Sequence, residues 1–348
     1  MYIFQYLSKV DNMQSKTKVL LIRFSSFGDV TQALSLPTKL KDHFQDCEIH
    51  WVTREDYKSL LESHPAINRI WLLNRKKGFT ALLKLAWNLR HENFTHVYDA
   101  HNNLRSFIIY TFTTALKFNH KIRRPIYRWK RFLLFKFRIN TFQMPFSGQR
   151  DLIEPLEAWG INKNVPAAPQ IFLEPASETK ALEKLSSLQQ PFFTLAPSAA
   201  YFLKRWPKDY WKELIQLLPQ GRCGWSHGPE DQFLKDIQAV APTRCLNLAG
   251  ALDYKTNAAI IKKSKALVSN DTGLMHIAEQ LGHPCIALLG PAPFGFPSRP
   301  STLKMELPLS CRPCSKHGQG PCVNPIHHQC LVDIKPSTVA QELLKWIG

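Results

Sequence analysis

Nowhere in these 348 residues is there an uninterrupted apolar run near the roughly 20 residues that cross a bilayer. The nearest, residues 107–116, is closed by Lys117. Residues 1–16 place Lys9, Asp11 and Lys16 around a short apolar run and lack a signal peptide's cleavage pattern, so a cytoplasmic chain is expected. Eight cysteines are too sparse for a disulfide scaffold, and a reducing compartment keeps them as thiols or metal ligands. Neither G-x-G-x-x-G nor a Walker phosphate loop is present, which removes the usual support for a dinucleotide oxidoreductase or a P-loop enzyme. There is no internal repeat and no low-complexity tract. Acidic residues are scarce as well: 27 Asp and Glu stand against 45 Lys and Arg, a net charge of +18. Such an excess implies an acidic partner, whether a phosphate-bearing ligand, anionic lipid or nucleic acid. The excess is local, because residues 117–138 hold nine Lys or Arg and no Asp or Glu.

What is present reads as a globular α/β protein. Hydrophobic residues make up 44% and charged residues 21% of the chain, and the length suits two domains, each with its own core. Strand-like runs at 18–24, 48–53, 69–73 and 96–100 alternate with helical patterns, including one from about Val30. The rhythm blurs between 117 and 149, and a helix over 151–159 closes the half. Residues 162–175, rich in Pro and Ala, read as a crossing segment. A second series follows, with strands at 192–196, 244–248, 266–269 and 284–289 and helices after Asp209, Glu230, Tyr254 and Thr272. Two doubly wound domains, 1–170 and 171–348, are expected, with the final helix free to return to the first. The loops at the carboxyl ends of their strands should face a shared cleft.

Three strand-to-helix junctions carry chemistry. In Ser269-Asn270-Asp271-Thr272-Gly273-Leu274-Met275-His276, the residues Leu274, Ile277, Ala278 and Leu281 form an apolar stripe. Thr272 and His276 share the other face, near a helix start whose unpaired N–H groups favour a phosphate. Asp271 as a plain N-cap and Gly273 as a turn residue explain the same pattern. In Ser25-Ser26-Phe27-Gly28-Asp29-Val30, Gly28 allows a close turn and Asp29 is delivered to the cleft, where it can take a proton or simply cap the helix. A carboxylate there is a weak base, useful only in concert with bond breaking. Third, Ala196-Pro197-Ser198 leads to Lys204-Arg205-Trp206-Pro207, where a lysine can meet a diphosphate or stay solvated.

Together with Asn247-Leu248-Ala249-Gly250 and Gly290-Pro291, these segments resemble the lipopolysaccharide heptosyltransferases of glycosyltransferase family 9. The likeness runs in order over roughly 18–340, and Asp271-Thr272-Gly273-Leu274-Met275-His276 is its most specific part. It implies a GT-B fold, with the acceptor on the first domain and the nucleotide donor on the second. It also implies metal-independent, inverting transfer of heptose from ADP-heptose to the lipopolysaccharide inner core, with no cofactor. On this likeness Asp29 is the base. Ser198, Lys204, Asp271, Thr272, Gly273 and His276 surround the donor, and Glu230 holds its ribose. Ser26, Gly28, His101, Asn103, Arg105, Arg123 and Arg124 lie on the acceptor side, with His101 where another polar residue is common in the family. A transferase of this fold using another nucleotide sugar is the alternative, and a basic nucleic-acid binder a more distant one, since charge explains none of the cleft motifs. Nucleic acid is therefore not an expected partner.

Two features stand apart. The basic stretch interleaves Phe118, Tyr127, Trp129, Phe132, Phe135 and Phe137, which suits an anionic membrane surface, a phosphorylated acceptor, nucleotide stacking or an amphipathic helix with solvated charges. Cys311, Cys314, Cys322 and Cys330 form C-x2-C-x7-C-x7-C, in which only the first pair has zinc-knuckle spacing. No metal is expected there, a zinc site being the alternative to a thiol-lined loop beside the donor. A similar loop occurs in the second-heptose branch of the family.

Overall fold

The computed structural model describes residues 16–115, 117, 119–188, 190–218, 223–225, 233–293 and 296–346. The opening segment read against signal peptides, Glu230 and the start of its helix lie outside the described residues.

Runs of Val, Leu and Ile between turns fold as parallel strands, buried on both faces because helices cover both. In β1 (Thr17–Ile22) the four residues Val19, Leu20, Leu21 and Ile22 are fully buried. With β2 (Cys47–Arg54), β3 (Arg69–Leu73), β4 (His96–Asp99) and β5 (His120–Arg123) it makes a parallel sheet of order β3-β2-β1-β4-β5. The second sheet holds β6 (Phe193–Ala196), β7 (Cys223–Trp225), β8 (Cys245–Asn247), β9 (Leu267–Asn270), β10 (Cys285–Leu288) and β11 (Thr302–Met305). Its order is β11-β10-β9-β6-β7-β8, again parallel throughout. Renumbered within its own half this is 3-2-1-4-5-6, the Rossmann order, and the first sheet is the same less one strand.

Helices of the first half are α1 (Phe27–Ala33), α2 (Ser35–His43), α3 (Lys58–Leu61), α4 (Gly78–Arg90), α5 (Leu104–Thr114), α6 (Arg128–Phe132) and α7 (Gly148–Ile153). Those of the second are α8 (Pro175–Lys184), α9 (Lys208–Leu217), α10 (Phe233–Gln238), α11 (Tyr254–Lys263), α12 (Gly273–Leu281), α13 (Gln329–Val332) and α14 (Pro336–Leu344). The helix expected over 151–159 starts earlier, as α7, and tightens into a 3₁₀ turn at Glu154–Trp159, where Pro155 interrupts the α pattern.

One expectation about the last helix is corrected. α14 does not return to the first half: Val339, Ala340 and Leu343 pack with Trp211, Leu214 and Ile215 of α9 in the second core. Trp206 Nε1 donates to the Ile334 carbonyl at 2.9 Å just ahead of it. The short α13 and the apolar stripe of α14 leave it within reach of that core and no other.

The two halves meet along α1 and α12. Phe27 stacks on Tyr254 at 4.4 Å, and Gln280 Nε2 donates to the carbonyls of Thr31 (2.8 Å) and Gln32 (3.1 Å). Leu274, Met275, Ile277 and Ala278 join one continuous apolar cluster with Val30, Ala33 and Leu34. Burial of this seam, rather than the linker, sets the spacing of the sheets.

Candidate active site

Strand order reverses between β1 and β4 in one sheet and between β6 and β9 in the other. Loops after adjacent strands diverge at such points and leave a crevice. The four loops that follow these strands are those that carry Asp29, His101, Lys204 and Thr272.

On the first wall, Asp29 is the third residue of α1, and its Oδ2 receives three donors: Ser26 N–H at 3.1 Å, Ser26 Oγ at 2.8 Å and Arg23 Nη2 at 2.8 Å. Arg23 is buried and donates from Nη1 to the Ala100 carbonyl at 2.6 Å, so it joins the β1 loop to the β4 loop. Enclosure raises the Asp29 pKa, but the Arg23 charge, the Ser26 hydrogen bonds and the Arg124 charge outweigh it and hold the carboxyl well below the usual carboxylate range. Asp29 opens onto a cavity of about 390 Å³ shared with Ser26, His101, Arg124 and Arg131. Burial, then the Arg23 charge, pushes His101 down to about 4, so its ring is neutral near pH 7.

On the second wall Asn270 ties two loops together: its side chain donates to the Pro197 carbonyl at 2.7 Å and accepts from Trp206 N–H at 3.1 Å. Of Lys204-Arg205-Trp206-Pro207, Trp206 is a core anchor, and Arg205 Nε donates to the Ala199 carbonyl at 2.8 Å. Lys204 pairs with Asp271 at 2.6 Å. Thr272 is the N-cap of α12 in extended geometry, its hydroxyl 3.1 Å from Ser269 Oγ and making no cap bond. The first amides of α12 thus have no side-chain cap.

The walls touch where both lack a side chain. A Cβ on Gly28 would lie 3.1 Å from the His276 ring and 3.7 Å from Gly273 Cα, and one on Gly273 would fall 2.1 Å from a Phe27 ring carbon. Gly273 is required by this approach, whereas a side chain at Gly28 would need the His276 ring to give by a few tenths of an ångström.

Several expected residues are placed differently. His276 is buried in the seam, with Nε2 3.2 Å from Gln32 Nε2 and Nδ1 3.3 Å from Glu279, rather than on an open helix face. It lies there because α12 is covered on this side by α1. Arg123 is taken up by Asp99 (3.2 Å) and Asn102 (2.5 Å) and packs over Phe107 and Tyr110, so it braces the β4 loop. Its neighbour Arg124 reaches the cavity, as alternate residues of a strand end point to opposite faces. Asn103 caps α5 and, with Arg105, Arg54 and Arg75, lines a separate hollow of about 150 Å³ that shares Ser25 and His101 with the larger cavity. Ser198 is buried at the end of β6.

Residues 311–330 were expected beside the donor site, and they also reach the first wall. Lys316 and His317 line the main cavity. Gly318, at φ +82°, packs against Lys204, where a Cβ would fall 2.8 Å from Lys204 Cγ. Among the described residues no group of three or more His, Cys, Asp or Glu side chains is disposed to hold a metal ion. Cys311 accepts instead from Asn324 Nδ2 at 3.3 Å and Cys322 from His328 N–H at 3.2 Å. Burial pushes Cys330 up to about 11. The long spacers let the chain carry Lys316 and His317 into the cleft. Arg23 and Lys316 gave no local signal, since each is held by a contact distant in sequence, and Arg131 was signalled only as one cation of the basic stretch.

Two Rossmann-like domains with their switch points turned to one cleft make this a GT-B protein, the architecture of nucleotide-sugar transferases. The sequence pattern of glycosyltransferase family 9 (heptosyltransferase) matches residues 82–324, and the chain belongs to that family. It is 27% identical to lipooligosaccharide heptosyltransferase 2 of Haemophilus influenzae, over 93% of this chain and 98% of that one. To lipopolysaccharide heptosyltransferase 2 of Escherichia coli it is 26% identical, over 94% and 97%. Solved structures with the same fold include a family 9 glycosyl transferase from Veillonella parvula (TM-score 0.75, 18% identity, 96% of this chain and 98% of that one). Another is the E. coli ADP-heptose lps heptosyltransferase II (TM-score 0.73, 22% identity, 95% and 98%).

Proposed function

We propose that this chain is an inverting, metal-independent transferase that moves heptose from ADP-heptose to the phosphorylated, lipid-linked inner core of lipopolysaccharide at the cytoplasmic face of the inner membrane. The observation that supports this reading is the close approach of Gly28, beside Asp29, to Gly273, beside Thr272: a Cβ on Gly28 would lie 3.7 Å from Gly273 Cα, so the two strand-to-helix turns meet. Relatives of this length named for that activity support the choice of sugar and acceptor.

In this reading the acceptor sits in the 390 Å³ cavity, its anionic groups met by Arg124 and Arg131. Its hydroxyl attacks the anomeric carbon from the Asp29 side as the bond to the β-phosphate oxygen breaks on the far side, which inverts the centre. The proton passes to Asp29 as the hydroxyl becomes acidic, so a strongly ionised carboxylate suffices. The departing diphosphate takes the place of Asp271 at Lys204, and the uncapped amides of α12 receive its remaining charge. Glu230 is assigned to the donor ribose.

Purified protein incubated with ADP-heptose, GDP-mannose or UDP-glucose and truncated core lipid tests the reading by product mass. A heptosylated product from ADP-heptose alone, formed equally in EDTA, is expected. A product from another donor, or loss of turnover in EDTA, overturns that part of it.

A further inference from the structure

Helix α6 and the turn after it have two unlike faces. Inward, Arg131 and the neighbouring Tyr127 and Phe142 line the main cavity. Outward, Trp129, Phe132, Phe137 and Ile139 are 68, 46, 56 and 52% exposed, and Met144 is 57% exposed further on. The rings form a cluster, with Trp129 stacked on Phe132 at 5.3 Å and Phe132 edge-on to Phe137 at 5.6 Å. Water around so much contiguous aromatic surface is costly, and such patches mark interaction sites. Cations are interleaved with it along the chain, where Arg128, Lys136 and Arg138 are exposed. From residue 100 to residue 150 the chain has eleven Lys or Arg and no Asp or Glu.

From this we propose that the Trp129–Phe132–Phe137 cluster and the interleaved Arg128, Lys136 and Arg138 form a docking surface for an anionic phospholipid bilayer. Aromatic rings insert at the headgroup boundary while the cations pair with lipid phosphates. The occupant is a bilayer because exposed aliphatic Ile139 and Met144 accompany the rings, the flanking charge is of one sign throughout, and the same segment lines the cavity wall. A lipid-linked acceptor could then enter the cavity with its acyl chains still in the membrane. The position of the patch acquires its use from the proposed acceptor, but the binding itself is independent of turnover.

Sedimentation of the full chain with phosphatidylcholine vesicles, with and without phosphatidylglycerol, tests the surface. Binding is expected only to the anionic vesicles, weakening with added NaCl. Trp129→Ser/Phe132→Ser/Phe137→Ser should lower the partition at least about tenfold, and Arg128→Glu/Lys136→Glu should do the same without touching the rings. Both variants should keep wild-type turnover of a deacylated, soluble acceptor. Equal binding to neutral vesicles, unchanged partition in both variants, stronger binding to oligonucleotides than to vesicles, or a dimer that the triple variant dissociates would each overturn the proposal. If no sugar acceptor is turned over yet vesicle binding follows the expected pattern, the proposed reaction fails and the docking surface stands.

Discussion

The two halves share a strand order but present opposite materials to the cleft. The first offers charged side chains around an open cavity, with Asp29 held among Arg23, Arg124 and Arg131. The second, beside Lys316 and His317 at the cavity, offers an uncapped helix start with one lysine already paired to Asp271. Guanidinium groups on flexible stems suit anionic partners of varied shape, whereas fixed amides suit one constant group such as a diphosphate. Under the proposed reaction, the same fold therefore serves a variable acceptor on one side and an invariant leaving group on the other.

The comparison breaks most sharply at Asp29. Asp29→Asn should lower kcat by roughly 10³-fold while binding of both substrates persists, measured as ADP release. A change in KM alone would make Asp29 a capping residue. Lys204→Ala should cost about 10²–10³ in kcat and weaken the donor without altering acceptor KM. Equal effects on both substrates would erase the division of labour. Arg124→Ala should raise acceptor KM by roughly 10–100-fold, whereas Arg123→Ala should leave KM alone and lower Tm by a few degrees, since it deprives the buried Asp99 of a partner.

The smallest effect is on pH dependence. His96, His101 and His283 are pushed from 6.5 to about 4, in each case first by burial. Folding therefore favours their neutral forms. Their contribution to stability is complete above pH 6.5 and is lost as pH falls towards 4, so urea midpoints should decline over that window. Asp29, held low by Arg23 and Ser26 against the effect of burial, stays ionised there, and kcat/KM should show no acidic limb from it above about pH 4. An acidic limb that disappears in Asp29→Asn would show that the base is not held by Arg23 as described.

Most apolar-rich strands were legible, the edge strands β3 and β8 included, whereas the interior β7, only Cys223–Trp225, is too short to show a pattern. β1 to β4 and β6, β8, β9 and β10 fall within a residue or two of expectation, and β3 coincides with it. The edge strands β5, His-Lys-Ile-Arg, and β11, Thr-Leu-Lys-Met, escaped notice: each pairs on one side only and carries polar residues on its open face. Of the candidate site, Asp29, Lys204, Thr272 and Gly273 sit in local strand-turn-helix motifs, where spacing offered a cap, a turn or a solvated side chain as readily and the family likeness made the choice. His276 could not be placed, because its surroundings are residues some 244 positions away, Gln32 among them.

The order of residues alone determined two βαβ series, the junctions that end them and a cationic stretch between, since each depends on side-chain periodicity and local backbone preference. Tertiary packing decided which of those junctions face one another, that Arg23 holds Asp29, that Arg124 rather than Arg123 enters the cavity and that Lys316 and His317 arrive from the far end of the chain. The facing of the junctions and the arrival of Lys316 and His317 depend on the relative position of two sheets fixed by a buried seam, and no window of sequence contains both partners; Arg23 and Asp29 lie close in sequence, but the guanidinium is held for that pairing by the Ala100 carbonyl of another strand end.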